Sequence, residues 1–525
     1  MKLLSRMQTA FAGLAAAACL TAAQAGTLRV VPNAPLQILD PLSTTAYVTR
    51  DHGFMVYDTL FGTDMQGKVH PQMVDTYDVD ASGKVWTFTL RAGLVFHDGS
   101  PVTAADAVAS LQRWESRDTL GGALKARTAS MEAIDARTFR ITLSAPFGPM
   151  LEALGKPSAI VPFVMPKAVL DAAGDGPVKQ IVGSGPFKFV ASEFRPGERA
   201  LYEKFDGYKP RAEAPSGTAG GKVVKVDKVE WVFLRDAQTA VNALRNKEVD
   251  YIDQPAFEQL PSLMKDPALE AIPRPIALSY VMRFNTLTPP FDDVRVRRAA
   301  MLAVNQEAIL RVQIGVPGAF HACASVYPCG TTYSSTPADY TGKPDFAQAR
   351  KLLQQAGYDG TPIVILDSPE VLSVAKIAPI MSALLQQAGF KTRIVPLDWA
   401  SWLQKRTSTA PASEGGWNIF FAAWSPYDLS MPISSAPLTA NGRQGWPGWF
   451  DDAEVRSLMT RFTDAAEMAD KQAIAAQIQD RILEQGAIAP LGQTDHYSVV
   501  RKGSLDGLLP RIAATPFWNV SLTGK

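Results

Sequence analysis

The sequence contains few of the residues from which metal centres and redox sites are built. Its 525 residues include three cysteines and five scattered histidines. It has no His-Glu-x-x-His motif, no Cys-x-x-Cys pair, no Gly-x-Ser-x-Gly elbow and no phosphate-binding P-loop. The sequence therefore gives no support for catalysis, and we predict a protein without enzyme activity, metal ion or cofactor.

An excess of charge of one sign is also lacking. The chain has 52 Lys and Arg against 51 Asp and Glu, a formal net charge of +1. A balance so even gives no support for binding to nucleic acid or to a membrane surface. Beyond residue 25, no segment is apolar over the roughly 20 residues that cross a bilayer. With 46% hydrophobic and 20% charged residues, the composition is that of a globular protein with two or three lobes.

The first 25 residues have the pattern of an export signal. Lys2 and Arg6 give a positive start, and the apolar stretch FAGLAAAACLTAA follows, with small side chains at residues 23–25. We predict export to the periplasm and cleavage after Ala25. A lipoprotein anchored at Cys19 is the alternative, although Ala16 stands where such proteins usually have Leu.

Cys323 and Cys329 remain after this cleavage. An even number of cysteines in an exported protein favours a disulfide. Such a bond would close a short loop and stabilise the fold by about 2 kcal/mol. A zinc site with His321 nearby is the alternative, but zinc sites favour shorter cysteine spacing and further ligands. We predict the disulfide.

Hydrophobic periodicity predicts a mixed α/β protein. Strand patterns dominate up to about residue 272, strands and helices alternate to about residue 489, and strand patterns then return. Residues 292–310 have the pattern of one amphipathic helix, with Val296, Ala300 and Val304 at steps of four. Residues 213–222 are rich in glycine and small polar residues, and we predict an exposed loop there.

His97 and Asp98 stand side by side between a predicted strand and a predicted helix, where an acid/base or metal site is conceivable. Residues 99–101 favour a tight turn, Thr103 is a potential helix N-cap, and Asp106 holds the capping-box position. Asp98 can accept hydrogen bonds from the turn, and His97 can donate to a carbonyl. A metal ion would need more ligands. We predict that this pair has a structural role.

The surrounding stretch, WTFTLRAGLVFHDGSPVTAADAVASLQRW, resembles the signature of the family 5 extracellular solute-binding proteins of ABC transporters, which include dipeptide, oligopeptide and nickel binders. Further stretches resemble that family in the expected order: IVGSGPFKF, LRNKEVDYI, MRFNTLTPPFDDVRVRRAAMLAVNQ and ARKLLQQAGYDG. Together they span most of the mature chain. In that family the first motif belongs to the scaffold, in agreement with a structural role for His97 and Asp98.

The resemblance implies an α/β, two-lobed periplasmic-binding-protein fold with a hinge. A large, discontinuous lobe I would comprise residues 26–272, with the signature motif in a subdomain at about 60–180, and residues 490–525. Lobe II, also α/β, would comprise residues 273–489. Nothing in the sequence indicates more than a monomer.

The resemblance also implies a function. The two lobes would close on a small organic ligand, a peptide or a peptide-like or amino-acid-derived compound, and deliver it to the membrane subunits of an ABC permease. An exported hydrolase of peptide-like substrates is one alternative. A binding protein with a sensor or chaperone role is another.

Six of the ten tryptophans lie between residues 399 and 450. Core packing is the expected role of Trp417, Phe420 and Phe421. Trp424 differs, because it ends a predicted strand and leads into the polar turn SPYDLS, which is how strands deliver side chains to a cleft. We predict a ligand-binding site that contains Trp424, Ser425, Tyr427, Asp428, Trp402 and Tyr47.

This site departs from the pattern of dipeptide-binding relatives. In those proteins an acidic residue three positions after the tryptophan pairs with the ligand's ammonium group, whereas this chain has Tyr427 there and Asp428 next. The arginine that binds the ligand's carboxylate in those proteins would lie near LDSPEV, which contains none. A free dipeptide held at both ends is therefore not expected. Asp428 stays a candidate partner for a cationic group, and other peptides, modified amino acids, opines and small cations remain open.

Overall fold

The structure is a computed structural model that describes residues 26–465, 467–510 and 513–523, without the side chains of residues 275–277. The predicted export signal, including Cys19, lies outside the described residues. The strands are β1 Thr27–Val31, β2 Asp58–Thr59, β3 Phe61–Thr63, β4 Val69–Pro71, β5 Val74–Val79, β6 Val85–Leu90, β7 Thr128–Ala133, β8 Thr138–Leu143, β9 Phe163–Val164, β10 Phe187–Phe189, β11 Arg199–Lys204, β12 Lys228–Val232, β13 Tyr251–Ile252, β14 Leu269–Phe284, β15 Phe320–His321, β16 Ile363–Asp367, β17 Thr392–Pro396, β18 Ile419–Trp424, β19 Ile488–Arg501, β20 Leu505–Asp506 and β21 Ser521–Leu522.

The α-helices are α1 Tyr47–Val56, α2 Ala104–Glu115, α3 Thr119–Lys125, α4 Met150–Leu154, α5 Lys167–Ala173, α6 Ala237–Arg245, α7 Leu260–Leu263, α8 Val294–Met301, α9 Gln306–Gln313, α10 Phe346–Ala356, α11 Ile377–Gln387, α12 Trp399–Lys405, α13 Pro426–Leu429, α14 Ala453–Asp464 and α15 Met468–Glu484. Short 3-10 helices occur at Ala191–Glu193, Phe257–Gln259, Ala412–Glu414, Pro432–Ser434, Ala436–Leu438 and Gly442–Gln444. Within the described ranges, none of the helices has the length and apolar character that a bilayer crossing requires.

One large mixed sheet organises the molecule. Its order is β10-β11-β12-β1-β13-β19-β14-β18-β16-β17, and β15 also pairs with β19. The long strands β14 and β19 pair with each other along most of their length. Residues 269–274 of β14 pair with residues 496–501 of β19, next to β13, whereas residues 278–283 pair with residues 488–494, next to β18. This two-stranded ladder therefore joins the two halves of the sheet.

The register of the ladder shifts between Arg274 and Leu278, at the passage from one half of the sheet to the other. Irregular pairing of this kind bends a strand and increases its local twist. The bend matters for the site described below, because Arg274 and Leu278 both line the cavity found there.

The signature motif contributes β6 to a small antiparallel sheet, β5-β6-β8-β7, and then forms α2. At the corner between them, the Asp98 carboxylate accepts hydrogen bonds from the backbone and the hydroxyl of Ser100, at 2.9 and 2.6 Å. The His97 ring is buried against the backbone oxygen of Gly185, at 3.1 Å. Asp106 accepts from the Thr103 backbone at 2.8 Å, which completes the predicted capping box. The structural role predicted for His97 and Asp98 is confirmed.

Two local predictions were wrong. Residues 292–310 form two helices, α8 and α9, because the Asn305 side chain accepts from the backbone of Ala308 and starts a new helix. Residues 217–222 are buried and not exposed. They lie against β3, where Thr218 Oγ1 accepts from the Thr63 backbone at 2.9 Å. Gly217 permits this approach, since a β-carbon there would lie 2.4 Å from the Thr63 carbonyl oxygen.

Candidate ligand-binding cavity

A cavity of about 930 Å³ lies where the two halves of the large sheet meet. This volume lies within the range of about 300–1,000 Å³ that is typical of small-molecule sites. Segments far apart in the sequence line it: the region around α1, parts of β14 and β19, helix α12, the end of β18, and residues 505–510. The fold therefore brings both ends and the middle of the chain to one enclosed space.

One part of the lining is aromatic. We call it the aromatic wall, and it consists of Trp399, Trp402, Phe421, Trp424 and Trp446. Trp399 stacks on Trp402 with 5.0 Å between ring centroids. Phe420, buried behind the wall, contacts Trp402 at 5.5 Å and Trp446 at 5.0 Å. Trp446 meets Trp424 edge-on at 5.3 Å. Because each of the four indole rings is held by a neighbouring ring, the wall presents apolar surface of fixed shape.

Two elements carry four of the five residues of this wall, and Trp446 follows the 3-10 helix Gly442–Gln444. Strand β18 pairs with β14 up to Trp424 and stops there, because Pro426 begins the short helix α13. Helix α12 begins at Asp398, whose carboxylate accepts from the backbone of Ser401 at 3.0 Å. On this helix Trp402 faces the cavity, and residues four positions apart lie on the same face.

Arg406 follows α12 and lies on that face. Its guanidinium sits over the Trp402 ring, 5.2 Å from the centroid. Within the described ranges, Nη2 donates a long hydrogen bond of 3.4 Å to Thr45 Oγ1, Nε is buried without a partner, and no carboxylate forms an ion pair with the side chain. Burial lowers the pKa of Arg406 to about 10. The side chain is thus a cation whose charge is not balanced by the protein around it.

A second part of the lining is polar. We call it the polar wall, and it consists of Arg50, Tyr251, Arg274, His496 and Ser498. Arg274 donates to Asp253 Oδ1 at 2.8 Å and to the Tyr251 hydroxyl at 2.6 Å. Arg50 donates to Asp51 Oδ1 at 2.7 Å. Each of these two arginines is therefore paired with a carboxylate of the same chain.

His496 lies beside this ion pair and is neutral at neutral pH. Its ring meets Phe257 edge-on at 5.3 Å, and only 4% of the residue is exposed. Burial lowers the pKa of His496 to about 4, and the nearby Asp253 carboxylate offsets part of that shift. The polar wall thus contains a neutral imidazole ring and two arginines that are each paired with a carboxylate.

Tyr47 connects helix α1 to the residues that follow β18. Its hydroxyl accepts from the backbone N–H of Ser425 and donates to Asp428 Oδ2 at 2.7 Å. Ser158 Oγ donates to the same carboxylate oxygen at 2.8 Å. Burial raises the pKa of Asp428, while Lys156, Tyr47 and Arg50 oppose that shift. Asp428 is 1% exposed and is not among the residues that line the cavity.

The structure therefore brings the predicted site residues together, although in two layers. Five of them line the cavity, and these are Tyr47, Trp402, Trp424, Ser425 and Tyr427. Asp428 joins them through the Tyr47 hydroxyl. Their contact with a ligand stays a prediction. Among the predicted core residues, Trp417 and Phe420 are fully buried, while Phe421 is buried and also lines the cavity.

Sequence reasoning missed several charged or titratable residues of the cavity, among them Arg406, His496 and Arg274. Two of them carried a usable signal. Arg406 stands four residues after Trp402 on a predicted helix, and His496 alternates with Ser498 along a predicted strand. Arg274 had none, because its partner Asp253 lies 21 residues away across a turn of the chain.

The predicted disulfide between Cys323 and Cys329 is present. The loop that it closes is fastened to β19, since the Cys329 backbone donates to Gln493 Oε1 at 3.1 Å. Thr331, two residues further on, lines the cavity. In the described part of the chain, no group of three or more His, Cys, Asp or Glu side chains is placed to hold a metal ion.

Comparison with known proteins gives consistent matches. The family model of bacterial extracellular solute-binding proteins, family 5, matches residues 68–446. A probable peptide ABC transporter periplasmic-binding protein of Sinorhizobium fredii is 36% identical over 497 residues, which cover 92% of this chain and 91% of that protein. A glutathione-binding protein of Pectobacterium atrosepticum is 27% identical over 457 residues, 85% of this chain and 84% of that protein.

The fold has close structural relatives. A periplasmic binding protein of A. tumefaciens, solved in complex with agropinic acid, superposes with a TM-score of 0.79 at 24% identity, covering 95% of this chain and 99% of that chain. This likeness confirms the two-lobed α/β fold predicted from the sequence. The match of the family model, together with the relative that is 36% identical, establishes that the chain belongs to the family 5 bacterial extracellular solute-binding proteins, a family of ABC-transporter binding proteins and not of enzymes.

Proposed function

We propose that this protein captures a small peptide, or a peptide-like or amino-acid-derived compound, in the periplasm and delivers it unchanged to an ABC permease. The observation that carries the proposal is the cavity of about 930 Å³, lined by aromatic side chains on one part and by polar groups on another. Such a lining suits an organic molecule with apolar surface and a few polar groups. The names of similar proteins support the ligand class, since they refer to peptide, glutathione and agropinic acid.

The two lobes of the proposal are residues 26–272 with 490–525, and residues 273–489. Both boundaries fall inside or at the start of the long paired strands β14 and β19. A pair of strands that connects two bodies can act as a hinge when each strand changes its backbone angles at a few positions. The irregular register between Arg274 and Leu278 supports a hinge at this level.

We further propose that the hydrogen bonds of Tyr47 fasten the closed state. Tyr47 and Ser158 belong to the proposed lobe I, and Ser425 and Asp428 to lobe II. Ligand would favour the closed form through contacts that exist only when both lobes surround it. In this arrangement Tyr47, Trp402, Trp424, Ser425 and Tyr427 contact the ligand. Asp428 acts from behind them, and it is open to a cationic group only when the bond to Tyr47 breaks.

The remaining features of the proposal concern the mature protein. We propose cleavage after Ala25 and a soluble monomer in the periplasm, with lipid attachment at Cys19 as the alternative. Intact-mass measurement of the protein recovered from a periplasmic fraction separates the two. A mass equal to that of a chain that begins at Gly26 supports cleavage after Ala25, and a mass that includes a diacylglycerol group on Cys19 contradicts it.

Mass spectrometry of molecules released by denaturation tests the function. The mature protein, purified gently from the periplasm, should release about one equivalent of a peptide or another amino-acid-derived compound. Removing that compound should lower the unfolding temperature, and adding it back should restore the temperature, because a ligand that binds the native state stabilises it by mass action. Chemical conversion of the added compound during incubation would contradict the proposal and indicate a hydrolase.

A further inference from the structure

Arg406 is the charged group of the cavity that the protein itself leaves unbalanced. The arginines of the polar wall, Arg50 and Arg274, have carboxylate partners at 2.7 and 2.8 Å. The acids Glu270 and Asp506 also line the cavity, but both are exposed to solvent. Arg406 instead lies over an indole ring, with a single long hydrogen bond among the described residues.

The unpartnered polar atoms of the lining point to the same conclusion. The described chain leaves three obligate donors on lining residues buried and unpartnered: Arg406 Nε, Trp424 Nε1 and Trp446 Nε1. Gln254 and His496 also have an unpartnered nitrogen there, and each can present a donor or an acceptor, depending on amide orientation or tautomer. A buried donor without a partner carries a desolvation cost that a ligand acceptor can remove. A ligand acceptor that reaches one of these atoms would therefore be favoured.

A carboxylate meets these requirements better than other acceptors. A carboxylate supplies the negative charge that would balance the Arg406 cation, and its two oxygens match the planar fork of a guanidinium. Asp428, the acidic residue predicted for the site, is engaged by the hydroxyls of Tyr47 and Ser158. A ligand ammonium could bind Asp428 only if these hydrogen bonds broke first. The cavity therefore favours an anionic group of the ligand over a cationic one.

We infer that the ligand carries a carboxylate that binds Arg406, with the adjoining part of the ligand lying along Trp402 and the aromatic wall. The inference rests on the proposed function and names its ligand class: an acidic peptide-like or amino-acid-derived compound with a free carboxylate. Arg406 directly follows α12, whereas the LDSPEV segment, where dipeptide-binding relatives would place such an arginine, has none. The arginine that binds the carboxylate thus lies in a different segment of lobe II from the one used by dipeptide-binding relatives.

The test compares two preparations of one peptide mixture. Ligand-free protein is titrated with an enzymatic casein hydrolysate, and in parallel with the same hydrolysate after methyl esterification, which removes the charge of every carboxylate. The readout is the concentration that gives half of the maximal rise in unfolding temperature. For the wild type, esterification should raise that concentration by about 10- to 100-fold, the range expected for a charge-assisted hydrogen bond.

Three variants place the effect on Arg406. Arg406→Gln should bind both preparations equally and weakly, and Arg406→Lys should keep part of the discrimination, since it retains the charge but loses the fork. Lys405→Gln is the matched control: it makes the same change of charge one position earlier, on a residue that does not line the cavity, and should behave as the wild type. Ligand-free Arg406→Gln should unfold at the wild-type temperature or higher, because it loses an unbalanced cation.

Each outcome separates this inference from the proposed function. Stabilisation by neither preparation would contradict the proposed ligand class, and the inference with it. Equal stabilisation of the wild type by both would leave the proposed function standing and overturn the role of the carboxylate. Discrimination that survives in Arg406→Gln would show that another group reads the carboxylate, and would overturn the assignment to Arg406.

Discussion

The two walls of the cavity differ in how their polar groups are satisfied. On the polar wall, Arg274 has Asp253 and Tyr251 within 2.8 Å, and Arg50 has Asp51. On the aromatic wall, the indole nitrogens of Trp424 and Trp446 have no partner among the described residues. Arg406, beside that wall, has no carboxylate partner within the described part of the chain. Folding alone supplies partners for the arginines of the polar wall, although His496 Nε2 there has no partner among the described residues. We propose that a ligand supplies the partners on the side of the aromatic wall.

This difference separates stability from recognition. Breaking a compensated buried ion pair leaves a charge without its partner, so the free energy of unfolding decreases. Removing an unpartnered donor changes the free energy of unfolding little, and its main effect is on the affinity for ligand. The following changes test this division, starting with the largest expected effect.

Asp253→Asn removes the carboxylate that pairs with Arg274 and leaves a buried cation on the polar wall without its ion-pair partner. Arg274 would keep its position but lose the only carboxylate that the structure gives it as an ion-pair partner within the described chain. We expect the free energy of unfolding to fall by about 3 kcal/mol, as for other broken buried pairs, measured by urea denaturation of ligand-free protein. Arg406→Gln is the control on the aromatic side and should show no such loss. Equal losses in the two variants would contradict the division.

Acidification should destabilise the polar wall through His496. Its pKa is lowered from 6.5 to about 4 in the folded protein, so the unfolded chain takes up the proton first as the pH falls. The stability due to the neutral ring is complete above about pH 6.5 and is lost as the pH falls towards 4.

The measurement is the free energy of unfolding at pH 7.5 and at pH 5. Between these values the wild type should lose about 2 kcal/mol more than His496→Gln, which has no titrating ring. The other buried histidines are shared by both proteins and cancel in the comparison. An identical pH dependence of the two proteins would show that the ring is already accessible to protons.

Trp424→Phe removes one unpartnered donor from the aromatic wall and keeps most of the ring surface. Affinity for the compound recovered from the purified protein should fall by about fivefold to tenfold, the effect of one hydrogen bond of about 1 kcal/mol. Isothermal titration measures it. Trp417→Phe is the matched control, because Trp417 is fully buried and does not line the cavity. Weaker binding by the control alone would contradict the role of Trp424.

Tyr47→Phe removes the hydroxyl that joins α1 to Ser425 and Asp428. The closed form would lose its bonds to Ser425 and Asp428, and we expect affinity to fall by a factor of about three, equivalent to roughly 0.7 kcal/mol. Small-angle X-ray scattering should show a larger radius of gyration for the variant at subsaturating ligand. A radius equal to that of the wild type, with unchanged affinity, would show that Tyr47 does not hold the closed form.

Local features of this molecule were predictable from the sequence. The capping box at Thr103, the end of β18 at Trp424 and the N-cap at Asp236 depend on residues a few positions apart. The break between α8 and α9 could not be predicted, because the apolar period of four residues continues past Asn305 and conceals the new N-cap there. The burial of residues 217–222 depends on a glycine that allows contact with β3, which composition does not reveal.

The site divides in the same way. The aromatic residues could be predicted, because a strand end and a helix face place them. The bond between Tyr47 and Asp428 spans 381 positions, and no local pattern announces it. Whether an arginine is balanced also depends on such distant partners, so the contrast between Arg274 and Arg406 became visible only in the folded chain.

A crystal structure of the mature protein with the compound that it retains during gentle purification tests the central claim most directly. Our account predicts that one intact molecule lies between the polar and aromatic walls, with a carboxylate against Arg406 and apolar surface on Trp402 and Trp424. A molecule bound outside this cavity, or cleaved products within it, would contradict the account.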